Sequence, residues 1–69
     1  MKPFEYEFVV DRDQRHLVDE MQDWCKDSIG PGGWIIRDHC VWSLERAFGI
    51  TLFNFKHQRD RDWFALRWS

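Results

Sequence analysis

Between Val10 and Leu17 the spacing of apolar side chains changes from every second residue to every third or fourth. That switch does most to limit the fold. Phe4, Tyr6 and Phe8 alternate with Glu5, Glu7 and Val9. A period of two puts three aromatics on one face and predicts a half-buried strand over 4–10, with Pro3 at its entrance. Leu17, Val18, Met21, Trp24, Cys25 and Ile29 then form a stripe at helical spacing. The stripe predicts a helix over 13–29, with Asp11 or Asp13 as its cap, Gly30 as its C′ residue and Pro31 as its stop. A strand followed by an amphipathic helix has to bury the helix stripe against a sheet, so the chain belongs among layered folds of mixed class.

The second half continues the sheet. Trp34, Ile35 and Ile36 read as a short strand leaving the glycine stretch "GPGG". Residues 41–55 read as a hairpin: Trp42 and Leu44 alternate outward, Phe53 and Phe55 alternate back, and Gly49 lies near the turn. A helix with Asp38 as cap and Gly49 as terminator is the rival for residues 38–48. After Lys56, Trp63, Phe64 and Trp68 recur at helical spacing and predict a second helix starting near 58. The alternation of Phe64, Leu66 and Trp68 leaves a terminal strand as an option. The expected architecture is a single domain over 1–69, an α+β two-layer sandwich. Its small antiparallel sheet has both helices on one face, in the order β-α-β-β-α with ferredoxin-like character.

Composition matters here because the chain is only 69 residues long. So short a chain buries about 60% of the surface it exposes when unfolded, and usually needs reinforcement. Five Trp and six Phe supply it. A core of Phe4, Tyr6, Phe8, Leu17, Val18, Met21, Trp24, Leu44, Phe53, Phe55 and Phe64 fills a two-layer domain. Trp34, Trp42, Phe48, Trp63 and Trp68 then have no obvious place in it. Several exposed large aromatics mark a contact site. Trp42, Trp63 and Trp68 are therefore the expected partner anchors, with Arg59, Arg61 and Arg67 as a polar rim. The expected function is non-enzymatic protein–protein binding.

Other chemistries find less support. Formal net charge is −2, with eight acids against four bases in residues 1–27 and four against six in 28–69. No basic footprint for nucleic acid stands out. The alternative function is single-stranded nucleic-acid binding, with Trp42, Phe53 and Phe55 on an open sheet face. Arg37, Arg46, Lys56, Arg59 and Arg61 would then surround them. Cys25, His39, Cys40 and His57 are zinc-ligand types but lack the tight pairing, such as C-x₂-C, that aims two donors at one ion; no metal or cofactor is expected. His16, His39 and His57 are scattered, and no nucleophile elbow or H-E-x-x-H motif is present, so no catalytic residue is assigned. The glycine stretch follows a helix and lacks the Lys and Ser/Thr of a phosphate loop. Two cysteines make no disulfide framework, no signal-peptide pattern opens the chain, and no apolar run reaches the ~20 residues that span a bilayer. A cytoplasmic protein with free thiols is expected.

Trp24, Cys25 and Gly30, followed by Phe55, Lys56, Asp60, Phe64, Leu66, Arg67 and Trp68, form a pattern that resembles small proteins of tailed bacteriophages. Those proteins share a helical "WC" before a glycine break and an F-K-x-x-x-D-x-x-x-F-x-L-R-W ending. Arg61 stands where a small residue is common in the pattern. The resemblance implies an accessory protein of the bacterial cytoplasm that binds a host protein or a second copy of itself. It implies no active site.

Overall fold

The computed structural model describes residues 4–36 and 38–68. The elements run β1 (Tyr6–Val10), a 3-10 segment (Arg12–Leu17), α1 (Val18–Ser28), β2 (Gly32–Gly33), β3 (Trp42–Ala47), β4 (Ile50–Phe55) and α2 (Gln58–Trp68). The four strands form one sheet in the order β1-β4-β3-β2. The β1–β4 and β3–β4 pairs are antiparallel, and the short β2–β3 pair is parallel. Apart from the two-residue β2, this is the expected β-α-β-β-α order of a small α+β fold.

Register explains the layers. Phe8 pairs with Phe53, which pairs with Leu44; Tyr6 pairs with Phe55, which pairs with Trp42. Directly opposed residues share a face. One face therefore carries Tyr6, Phe8, Val10, Trp42, Leu44, Phe53 and Phe55, and both helices cover it. Val18, Met21 and Cys25 of α1 and Phe64 of α2 complete the core. Glu7, Val9, Glu45, Leu52 and Asn54 occupy the opposite face, where the Asn54 amide donates to the Glu45 carboxylate at 3.2 Å.

The hairpin reading of residues 41–55 holds, and its helical rival does not. Phe53, Phe55 and Leu44 are buried together only if β3 and β4 pair. Three expectations need correction. The first helix begins as a 3-10 segment and becomes α-helical only at Val18. Residues 12–16 carry no apolar side chain to hold an α-turn against the sheet, and the Asp11 side chain makes no cap. Its carbonyl accepts from the Gln14 N–H instead, at 3.0 Å.

The strand expected at Trp34–Ile36 lies instead at Gly32–Gly33. Close approach is the reason: a Cβ on Gly32 would fall 2.5 Å from ring carbons of Trp42. Only glycine lets this backbone lie against that indole, and pairing stops where the glycines end. Finally, α2 continues through Trp68, so the optional terminal strand is not formed.

Phe64 ties the layers together. Its ring lies 4.8 Å from Phe53, 5.0 Å from Phe8, 5.2 Å from Phe55 and 5.9 Å from Trp24. These are normal separations for interacting aromatic rings.

Candidate protein-contact surface

The α2 helix is apolar on two sides. It opens after His57, whose carbonyl accepts from the N–H groups of Asp60 and Arg61 at 3.2 and 3.3 Å. Phe64 faces the sheet and is fully buried, with Asp60, Arg61 and Trp68 half-buried around it. Trp63 and Leu66 face outward, 48% and 80% exposed. Residues three and four apart are neighbours on a helix surface. Trp63 and Leu66 therefore sit side by side, and Arg59 and Arg67 lie one turn before and one turn after Trp63.

Trp63 is not loose. Its ring meets Trp24 of α1 edge-on, with centroids 5.1 Å apart. Arg67 lies over the ring of Trp68 at 4.2 Å. Arg61 is beside Asp62 at 3.0 Å, whereas Arg59 is 3.9 Å from Asp60 and 85% exposed. The outer side thus presents an indole and a leucine between two guanidinium groups.

The six expected contact residues therefore separate. Trp63, Arg59 and Arg67 share the outer stripe of α2. Arg61 flanks it. Trp68 belongs to the edge of the core, with its ring 6.3 Å from Phe64.

Trp42 must be withdrawn as a contact residue. It is fully buried, stacked on Phe53, and its indole N–H donates to the Gly30 carbonyl at 2.7 Å. The space it fills exists because Gly32 beside it has no side chain.

The expected base-stacking face fails for the same reason. Trp42, Phe53 and Phe55 have no exposed surface. Of the surrounding bases, Arg46 lies 5.8 Å from the Trp34 ring, and Arg37 lies outside the described residues.

Reactive groups are buried or dispersed. Burial, with a smaller push from the Asp60 carboxylate, drives the Cys25 thiol up to about 12. At neutral pH it is a protonated, buried thiol rather than a nucleophile. The Cys40 thiol is also buried and lies 3.9 Å from the Ile35 carbonyl. Among the described residues, no three of His, Cys, Asp or Glu converge as a metal site would require.

Besides Val9 on the open sheet face and Leu66 on α2, two exposed apolar places lie outside the six expected contact residues. One is the run Trp34–Ile35–Ile36, with Ile35 68% exposed. It borders an open groove of about 480 Å³ between the glycine loop and α1, with Lys26 and His39 on its walls. The other is Phe48 at the hairpin tip. Trp34 and Phe48 are the two aromatics that the sequence leaves outside the core without making them anchors.

No protein-family model, curated protein or solved structure matches the chain. Among the described residues, no helix is long and apolar enough to cross a membrane.

Proposed function

We propose that this chain is a non-enzymatic accessory protein that grips another protein with the outer side of α2. The observation behind this reading is the exposed stripe Arg59–Trp63–Leu66–Arg67, with Trp63 propped against Trp24. Trp and Arg are the residue types that concentrate binding energy in interfaces, and a ring already held in place loses less freedom on binding. The resemblance of the Trp24–Cys25, Gly30 and C-terminal motif to bacteriophage proteins favours a bacterial host protein as the partner. On that reading the protein works in the host cytoplasm by modulating the factor it binds.

The test is capture of host proteins on the tagged chain from bacterial lysate, with and without nuclease, beside the variant Leu66→Glu. One host protein held at stoichiometric level after nuclease, and lost with the variant, supports the reading. Retention that vanishes with nuclease overturns it in favour of nucleic acid. A self-associated chain that captures nothing makes the partner a second copy, which light scattering would register directly.

A further inference from the structure

The hairpin turn departs from the residue preferences of its own geometry. Ala47 pairs with Ile50, so Phe48 and Gly49 alone form the loop, and their φ angles are 52° and 82°. Two positive φ values mark a type I′ turn, whose first position favours Asn, Asp or Gly. In the left-handed region a Cβ crowds the following carbonyl oxygen, and a bulky residue there is an outlier. Phe48 is the only non-glycine residue with positive φ among those described, and it is 97% exposed. The ring therefore strains the turn and packs on nothing in return.

The turn is nevertheless braced. Arg12, in the 3-10 segment, approaches the Phe48 carbonyl with Nη2 at 3.5 Å. A Cβ on Gly49 would lie 2.7 Å from Nε of the same guanidinium, so the arginine fills the space under the turn. Around the ring, beside Ile50, the Asp11 and Asp13 carboxylates outnumber the Arg12 guanidinium and leave a net negative border.

We infer that Phe48 is a contact anchor that enters a ring-sized apolar pocket on a partner protein whose rim carries Lys or Arg. A single ring on a braced turn suits a hole better than a flat surface, and bracing limits the freedom lost on docking. The basic rim follows from Asp11 and Asp13, because opposed charges set partner choice and approach. The same two carboxylates disfavour an anionic membrane, and they disfavour a second copy presenting the same acidic border. This inference rests on the protein-binding reading but uses the hairpin tip rather than α2.

The first test is Phe48→Asn, which removes the ring and leaves a residue suited to the turn. The midpoint of thermal unfolding should rise by about 4–8 °C as strain is relieved. A lower midpoint shows that the ring serves the fold and overturns the inference.

The second test places a benzoylphenylalanine photo-cross-linker at position 48 of the full chain, in the same bacterial lysate. The expected product is one partner protein, cross-linked within an apolar pocket bordered by Lys or Arg. Its yield should fall about tenfold with D11K and D13K combined. A cross-link to lipid, to a second copy or to a flat or acidic surface overturns the inference, as does none at all. The same cross-linker at Leu66 keeps the two readings apart. A product at 66 with none at 48 leaves the α2 reading standing and removes this one.

Discussion

The two sides of α2 are built from similar residues and meet opposite surroundings. Phe64 faces inward and has no exposed surface; Trp63, its neighbour in sequence, is 48% exposed. Both rings touch Trp24, at 5.9 and 5.1 Å. Phe64 also meets the rings of three strand residues, whereas Trp63 meets no strand ring. Aromatic type alone therefore does not assign a side chain to the core. Contact with the sheet does. The inward side should carry stability and the outward side binding, and that division can be tested residue by residue.

Phe64→Ala tests it most severely. Deleting a fully buried Phe ring costs about 3–5 kcal/mol, comparable with the whole stability of a domain this small. The variant should be largely unfolded at 25 °C by circular dichroism. A cooperative transition with near-native midpoint would show that α2 is not needed to close the core.

Trp42→Phe comes next. It leaves the Gly30 carbonyl without its donor and opens space beside Gly32, a loss of about 1–3 kcal/mol in urea unfolding. A neutral result would show that the hydrogen bond to Gly30 adds nothing to the stability of the core. Trp63→Ala forfeits one edge-on aromatic pair, about 0.5–1.5 kcal/mol, and the burial of about half its ring, so it should cost less than Phe64→Ala. If the two α2 variants lost equal stability, the distinction between the sides would collapse.

Much of this arrangement was legible in the sequence because both periods are long enough to declare themselves. Phe4, Tyr6 and Phe8 fixed β1, and the stripe from Leu17 to Ile29 fixed α1. The hairpin was legible from Phe53 and Phe55 returning opposite Leu44. The glycine loop was not. Gly32 pairs with β3 because it can lie on the Trp42 ring, a contact across the fold that no local spacing encodes. That one contact is why the sequence points to Trp42 as a contact residue and to Trp34–Ile36 as a strand, and why the structure supports neither. On α2, helical spacing could show that Trp63 and Phe64 point apart, but not which of them meets the sheet.

Cys25 extends the inward side to pH. Its thiol is raised from 9.0 to about 12, first by burial and then by Asp60. A raised folded-state value means that the folded chain holds this proton more tightly than the unfolded chain. The associated stability is complete below pH 9 and is lost as pH rises toward 12. The urea midpoint should therefore fall over that range in the wild type, and fall less in Cys25→Ala when each is compared with its own value at pH 8. Equal slopes for the two proteins would remove Cys25 from the account.

The smallest expected effect on stability belongs to Leu66→Glu, and it carries the sharpest contrast. Leu66 is 80% exposed, and substitutions at such positions usually change stability by less than about 0.5 kcal/mol. The new carboxylate would lie one helical turn from Trp63 and beside Arg67, inside the proposed contact stripe. A desolvated interface tolerates an unpaired charge poorly, so partner capture should fall by at least about tenfold while the unfolding curve stays in place. Loss of stability instead would mean that Leu66 packs within the fold. Unchanged capture together with unchanged stability would place the contact elsewhere, with Val9, the Trp34–Ile36 run and the Phe48 turn as the other exposed apolar places among the described residues.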